Sequence, residues 1–319
     1  MKRGFLLGKK LSTAPSSTPA PAAAPSTPSP TADQPIVPLP LPSTTSFRTS
    51  PADSSTLHWS FHPSSAPTLA LYSTSATRHA LRSTPFFSSP SSSPPPLPAY
   101  KPLYELVDLP GKGKGLVATA DLAPDSLILL DRPLLVFATT ALPPAAVHGN
   151  ALLSHALSRL SPEMQRTFLA LDNCFPSSSS SEGSLLGRVE TNALPVVSLT
   201  DLPAEAGADA VQYSGVFPRA SRVNHACDAN CRLEWSARDW TLAVKTSRAV
   251  KKGEELCISY IVPFQKRRER REELRLKWRF DCMCGWCSLS HEESAKKDEE
   301  REKLAEAFMR QWNAQANGA

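Results

Sequence analysis

Three cysteines fall within six residues near the carboxyl end of the chain, at Cys282, Cys284 and Cys287. The apolar run at residues 5–7 is too short for a secretory signal, so we expect an intracellular chain, in which such crowding indicates a metal site rather than disulfides. Zn²⁺ prefers four ligands in a tetrahedron, so the cluster predicts a fourth ligand from elsewhere. Cys227, in a polar turn, is the best-placed candidate. The other candidates are Cys174, Cys231, Cys257 and His291.

The first hundred residues differ from the rest of the chain in composition. They hold 19 of the 31 prolines, two glycines and two acidic residues, and most of the remainder is Ser, Thr and Ala. Such a segment buries too little apolar surface to offset the entropy lost on ordering, so we predict a disordered tail over residues 1–100. Its composition is compatible with nuclear, cytoplasmic or mitochondrial residence, and we favour the nucleus or the cytoplasm. No run of 18 apolar residues occurs in the chain, which predicts no membrane-spanning helix.

From residue 100 onward, short apolar runs alternate with turns. Extended segments are predicted at residues 104–107, 116–120, 127–130, 189–199, 231–235, 241–246 and 256–261. Helical spacing is found at residues 151–171, with a restart at 161–163, and at the charged segments 264–278 and 291–319. The pattern predicts a mostly β fold with a helical insertion and a helical carboxyl end.

Four short motifs follow one another along this part of the chain. They are Gly113-Lys-Gly115, the segment Asn224-His225-Ala-Cys227, an apolar strand that ends in Tyr260, and the cysteine cluster. Each is weak alone, but the four together in this order resemble a SET-domain lysine methyltransferase over about residues 101–289. The helical insertion is most similar to the SET-and-MYND family and its fungal relatives. The segment between Leu116 and Asn192 holds a single cysteine, too few for the zinc-binding MYND finger of that family.

The resemblance implies small, mostly antiparallel sheets with a knot-like crossing near the carboxyl end. It implies a SET domain over residues 101–262, with the helical insertion at about 138–210. A helix and a zinc-binding segment would follow at 263–289, and a charged helix or tail at 290–319.

The resemblance also implies S-adenosylmethionine as the cofactor. In the family the glycine turn lays its backbone against the cofactor, and glycine suits this role because a side chain would block the approach. The residues that match cofactor-binding positions of the family are Lys112, Gly113, Lys114, Gly115, Asn192, Asn224, His225 and Phe280.

Tyr260 matches the catalytic tyrosine of the family, at the channel that receives the substrate lysine. Trp278 stands where the closest relatives have a second channel tyrosine. Its indole offers an aromatic wall and cation–π contact but lacks the hydroxyl, which leaves the methylation state open. The family's zinc site takes one ligand from the turn after the Asn-His pair. This assigns Cys227, Cys282, Cys284 and Cys287 to a structural Zn²⁺.

The implied activity is methyl transfer to a lysine side chain of a histone or another protein, so the expected partner is a protein that presents a lysine. Trp278 and the missing finger leave a second reading open, a catalytically weak SET domain that acts as an interaction module. The third is a nucleic-acid binder that uses residues 266–271, where five cations accompany one acid. For that run we favour a solvated helix face, since acidic neighbours offer partial pairing and the net charge of +5 permits an acidic partner without demanding one.

Overall fold

The computed structural model describes residues 57–64, 67–82, 84, 86–88, 96–138, 146–175, 183–196, 199, 213–262 and 264–316. Within these ranges the strands form three sheets, of five, three and four strands. Residues 1–56 of the tail that was predicted for residues 1–100 lie outside the described residues.

Residues 57–88 correct the predicted extent of the tail, because they add two strands and a helix to the fold. β1 (Leu57–His62) and β2 (Leu69–Thr74) pair antiparallel, and α1 (Ser75–Leu81) follows them. β2 also pairs in parallel with a later strand, so it lies inside the five-stranded sheet.

Both faces of β2 are buried. Leu69 and Leu71 pack into one hydrophobic cluster, while Ala70 and Tyr72 pack into a second cluster on the opposite face. This alternation agrees with the two-residue period of a strand. The strand was missed in the sequence because it is short and stands among Ser- and Pro-rich neighbours, whose composition dominated the prediction.

The next four strands bracket the glycine turn and lead into the helical insertion. They are β3 (Tyr104–Leu109), β4 (Gly113–Ala118), β5 (Leu127–Asp131) and β6 (Leu135–Ala138). β3 and β4 form a hairpin, and β6 pairs with β2. The chain therefore returns to the amino-terminal strands before the insertion begins.

The insertion contains three helices and returns through a strand pair. Its elements are α2 (Ala146–Leu157), α3 (Pro162–Leu169), α4 (Gly183–Asn192), β7 (Ala193–Val196) and β8 (Tyr213–Val216). The predicted restart at residues 161–163 is present, since the Ser161 hydroxyl accepts a hydrogen bond from the Met164 N–H and begins α3. The extended segment predicted for residues 189–199 is wrong at its start, because helix α4 continues to Asn192 and packs Leu185, Leu186 and Val189 into the second cluster.

The remaining strands complete the two smaller sheets. They are β9 (Asn224–His225), β10 (Cys231–Ser236), β11 (Thr241–Thr246) and β12 (Glu255–Ile258). β10 and β11 form the predicted hairpin, and β12 lies between β4 and β9. The β9–β12 and β2–β6 pairs are parallel, so the four- and five-stranded sheets are mixed, while the three-stranded sheet is antiparallel.

Two charged helices follow, α5 (Arg267–Trp278) and α6 (His291–Ala316). A third cluster, centred on Cys227, Leu274, Cys282 and Cys287, packs between the β9 segment and these helices. Among the described residues, none of the helices has the length and apolar character that crossing a bilayer requires.

Candidate functional site

A cavity of about 730 Å³ opens between the glycine turn, the α3–α4 connection and the segment after α5. The predicted cofactor residues that line it are Lys112, Gly113, Lys114, Asn192, Asn224, His225 and Phe280. Tyr260 and Trp278 line the same cavity, together with Cys282 and Cys284. Gly115, Cys227 and Cys287 are not part of this lining. The fold therefore gathers residues from five separate parts of the chain around one space, at 112–114, 192, 224–225, 260 and 278–284.

The glycine turn packs directly against the Asn-His segment. Gly113 has a φ of +71°, a backbone conformation that glycine adopts at little cost. At Gly115 the constraint is space, because a Cβ would lie 2.6 Å from Nδ2 of Asn224 and would also overlap the Leu109 side chain. The close approach that requires glycine at position 115 is thus an approach to Asn224.

Asn224 is fixed by its amide nitrogen. Nδ2 donates to the Lys114 carbonyl (3.3 Å) and to the Glu255 carboxylate (3.0 Å), so it joins β4 to β12 through β9. These bonds commit the nitrogen to the protein and leave the Oδ1 atom for a hydrogen-bond donor.

His225 links the cavity wall to the cysteine cluster. It is 5% exposed, and its Nδ1 accepts a hydrogen bond from the Tyr260 backbone N–H (3.0 Å). In the neutral ring the proton then sits on Nε2, which lies 3.4 Å from the Cys227 Sγ. Burial lowers the pKa of His225 to about 4, so the ring is uncharged at neutral pH. The hydrogen bond from the Tyr260 N–H to His225 also explains why β12 ends at Ile258, before its predicted end at residue 261. The Tyr260 N–H is bound to a side chain rather than to the backbone of a neighbouring strand.

Tyr260 is held between two aromatic neighbours. Its hydroxyl donates to the Val223 carbonyl (2.8 Å), and its ring centroid lies 5.3 Å from that of His225 and 5.2 Å from that of Trp278. Burial raises the pKa of Tyr260 above its ordinary value. The side chain is therefore a neutral phenol with a fixed orientation.

Asp172 and Arg222, which the sequence left unassigned, hold this region in place together with Asn192. Asp172 lines the cavity, and its carboxylate pairs with the buried Arg222 guanidinium (3.1 Å). Arg222 also donates to the Ala170 carbonyl (2.5 Å). The amide of Asn192 donates to the Asp172 and Arg188 carbonyls, each at 2.7 Å. Asn192 thus anchors the loop that carries Asp172.

A buried carboxylate positions the turn that leads into the Asn-His segment. Asp131, at the end of β5, accepts hydrogen bonds from the backbone N–H groups of Arg219 (2.7 Å) and Ala220 (2.9 Å). It is 3% exposed and lies 3.6 Å from the Arg219 side chain. Asp131 was missed in the sequence, because its contact with Arg219 joins positions 88 residues apart and no motif connects them.

The fold brings four thiols together. The Sγ atoms of Cys227, Cys282, Cys284 and Cys287 all lie within 4.8 Å of one another, with 3.5 Å between Cys227 and Cys287. Four sulfurs at the Zn–S distance of about 2.3 Å would stand about 3.8 Å apart in a tetrahedron. The arrangement therefore fits a tetrathiolate metal site. Cys174, Cys231, Cys257 and His291, the other candidates for the fourth ligand, are not in this cluster.

The charges around the thiols support the same conclusion. Arg270 and Arg301 are 1% and 4% exposed, and both donate to the Gln265 carbonyl. Asp298, 3.3 Å from Arg270, is the carboxylate beside them. Two buried guanidinium groups and one carboxylate leave an excess positive charge, which is costly in a buried environment. Four thiolates around a divalent cation carry two negative charges and compensate for that excess.

Comparison with protein families matches residues 113–261 to the SET domain. Over 204 residues the chain is 28% identical to histone-lysine N-methyltransferase set5 of Schizosaccharomyces pombe, covering 64% of this chain and 56% of that protein. Over 77 residues it is 38% identical to histone-lysine N-methyltransferase SET5 of Saccharomyces cerevisiae, covering 24% and 15%. Over 80 residues it is 32% identical to histone-lysine N-methyltransferase SMYD3 of Homo sapiens, covering 25% and 18%. The chain thus spans little more than half of the Schizosaccharomyces pombe protein and less of the other two.

Proposed function

We propose that the protein is a protein-lysine N-methyltransferase that uses S-adenosylmethionine, because residues 113–261 match the SET domain and the chain is similar to SET5 and SMYD3. The observation that carries the proposal is the cavity in which Tyr260 and Trp278 adjoin the Asn-His pair and the glycine turn. The names of the relatives point to a histone as the substrate and to the nucleus as the place of action.

S-adenosylmethionine supplies a methyl group on a cationic sulfonium. We assign its binding to Lys112, Gly113, Lys114, Gly115, Asn192, Asn224, His225 and Phe280. Asn224 has its Oδ1 available as an acceptor. Phe280 and His225, whose ring centroids are 6.1 Å apart, offer aromatic surface for the adenine.

Tyr260 is the residue that we assign to catalysis. A lysine amine attacks only when neutral, and its pKa in water is about 10.4, so the site must favour loss of a proton. Burial in the channel beside the cationic sulfonium of a bound cofactor would disfavour the ammonium form by desolvation and like-charge repulsion. The Tyr260 hydroxyl donates to Val223, so its oxygen accepts a hydrogen bond from the amine and orients the lone pair. Since the phenol stays neutral, it adds no negative charge that would hold the ammonium form.

The metal has a structural role in this proposal. Zn²⁺ bound by Cys227, Cys282, Cys284 and Cys287 has no open position for activating water. It would tie the segment that carries Trp278 and Phe280 to the turn that carries His225. The cofactor site and the metal site are therefore coupled, because Phe280 lies two residues before the ligand Cys282 and His225 lies two residues before the ligand Cys227.

The test uses the full chain, purified with zinc and incubated with core histones and labelled methyl donor. We expect labelled lysine with the wild-type protein and at least about 100-fold less with Tyr260→Phe, because orientation of the amine is lost. Cofactor affinity should change less than about threefold in Tyr260→Phe and fall at least about tenfold in Asn224→Ala. The proposal fails if the folded, zinc-loaded protein binds no cofactor, or if Tyr260→Phe methylates as fast as the wild type.

Trp278 favours one competing function, a SET domain that binds a protein partner without methylating it. Its indole occupies the channel wall 5.2 Å from Tyr260 and has no hydroxyl to orient water or amine. This function predicts cofactor binding without methyl transfer in the wild type. Recovery of transfer in Trp278→Tyr would then identify the indole as the cause.

A further inference from the structure

A second cavity, of about 620 Å³, lies between α5 and α6, on residues that the methyltransferase proposal does not use. One wall is the arginine face of α5, formed by Arg267, Arg268, Arg271 and Arg275. The facing wall on α6 includes the small side chains Ser294 and Ala295, which leave room between the helices. We refer to this cavity as the arginine groove.

The four arginines of the groove outnumber its carboxylates by one, since Glu272 and Asp298 also line it and Asp281 lies beside it. Asp281 is shared, since it lies 3.8 Å from Arg271 and also contacts Arg275. The Arg267 guanidinium donates to the carbonyl of Leu289, which carries no charge. Arg268 is exposed and contacts no carboxylate among the residues that the structure describes.

A buried donor in the groove also lacks an acceptor. The Nε atom of Arg271 is shielded from solvent and has no hydrogen-bond partner within the described part of the chain. An unmade hydrogen bond of a charged group costs more than that of a neutral one. An anion in the groove would balance the excess charge at the exposed part of the Arg271 guanidinium, which would have to turn for Nε to become a donor to it.

The spacing of the arginines indicates what kind of anion fits. Arg267, Arg271 and Arg275 recur every four residues, so they are about 6 Å apart along the helix axis. That interval is comparable with the separation of successive phosphates along a nucleic-acid strand. The planar guanidinium binds phosphate oxygens in pairs, which a lysine does not.

We propose that the arginine groove binds the phosphate backbone of a nucleic acid. An acidic polypeptide is the less suitable ligand, because its carboxylates recur only where its sequence places them, whereas every nucleotide of a nucleic acid carries a phosphate. The groove differs from the solvated helix face that the sequence favoured, since α6 encloses the arginines on one side. It lies on the helix whose last residue, Trp278, lines the methyl-transfer cavity.

The experiment measures binding of the zinc-loaded full chain to a fluorescein-labelled DNA duplex and a single-stranded RNA of equal length, by anisotropy at several salt concentrations. The test variant is Arg268→Glu with Arg271→Glu. The matched control is Lys296→Glu with Lys303→Glu, on exposed positions of α6 outside the groove. Each double substitution lowers the formal net charge of the chain by four units, from +5 to +1. Zinc content and cofactor binding verify that both variants are folded.

We expect the groove variant to weaken binding at least about tenfold and to reduce the slope of log K against log salt by about 2. The control variant should weaken binding less than about threefold. Arg268→Gln, which breaks no contact among the described residues, should show a smaller loss in the same direction.

Three results would overturn the proposal. One is the absence of binding to either nucleic acid at low salt. Another is an equal loss in the groove and control variants, which would mean that net charge alone attracts the ligand. The last is competition by polyglutamate as effective as that by unlabelled DNA of equal charge, which would assign the groove to an acidic polypeptide.

Discussion

Gly115 is the position at which one added methyl group would disturb the cavity wall most directly. A Cβ there would lie 2.6 Å from Nδ2 of Asn224, so Gly115→Ala must displace the amide that bonds to Lys114 and Glu255. We expect a loss of about 2 to 3 kcal/mol in the free energy of unfolding. Affinity for S-adenosylmethionine should fall at least about tenfold. Denaturant unfolding and titration calorimetry measure the two effects.

Gly253 supplies the control for that substitution. It has a φ of +84°, and no neighbouring atom lies within 4 Å of the place where a Cβ would stand, so Gly253→Ala introduces backbone strain without displacing a neighbour. It should cost about 1 kcal/mol and leave cofactor affinity unchanged. Equal losses of affinity in both variants would contradict the role given to Gly115.

The buried tyrosines predict how stability depends on alkaline pH. Burial raises the pKa of Tyr72, Tyr104, Tyr213 and Tyr260. Above pH about 10 the unfolded chain releases phenol protons that the folded chain retains, so the free energy of unfolding falls as the pH rises. Denaturant midpoints between pH 8 and pH 11 test this, and Tyr260→Phe should flatten the decline. A midpoint that rises over this range would contradict the prediction.

At the scale of single residues, the sequence predicted which side chains surround the cavity better than it predicted what holds them. Asn224, His225, Tyr260 and Phe280 were found because short motifs carry them. Asp172 and Arg222 were missed because their contact joins positions 50 residues apart. Neither residue belongs to a motif whose spacing reveals that pairing.

Among the elements, α6 depends most on the metal site. Arg301 stacks on Trp286 at 4.1 Å and donates to the Cys227 carbonyl (3.4 Å), so the helix rests on the cysteine cluster. We expect chelation of zinc to increase hydrogen exchange across residues 291–316. Arg301→Ala should have the same effect with zinc still bound, at a cost of about 1 to 2 kcal/mol.

Arg310→Ala is the control on the same helix, because the Arg310 side chain is 72% exposed and its one ion pair among the described residues is with Glu306 on the surface. It should leave both exchange and stability unchanged. If hydrogen exchange across α6 did not change after complete removal of zinc, the stability of the helix would not depend on the metal.

Elements with a strong local pattern were predicted close to their observed positions. The hairpin β10–β11 alternates clearly, and α5 and α6 are charged helices with no Pro or Gly in their interiors. β2 has no strong local pattern of this kind. Its position in the sheet depends on pairing in parallel with β6, more than sixty residues later. Parallel pairing leaves no local turn signal in the sequence.

For the molecule as a whole, the amino-terminal strands predict where the chain can be shortened. A fragment of residues 95–319 lacks Leu69, Leu71, Leu81 and Phe86, all buried in the first cluster. Each buried side chain contributes about 2 kcal/mol, so the combined loss approaches the stability of a typical domain. We expect this fragment to aggregate or to melt well below the full chain.

A fragment that begins at residue 56 retains these side chains and should melt within a few degrees of the full chain. Thermal unfolding of both fragments, at equal zinc content, makes the comparison. If residues 95–319 were as stable as residues 56–319, β1, β2 and α1 would be dispensable.

The distance along the chain between the walls of the cavity has a consequence for synthesis. Residues 110–114 leave the ribosome long before residues 278–284. Cys227 likewise emerges before Cys282, Cys284 and Cys287, with which it forms the cysteine cluster. The cavity therefore stays open on one side until residues 278–284 have been synthesised. A stop codon between positions 262 and 278 would release a chain that holds the strands of all three sheets but only part of the cavity wall, so nonsense mutations there should abolish function as fully as earlier ones.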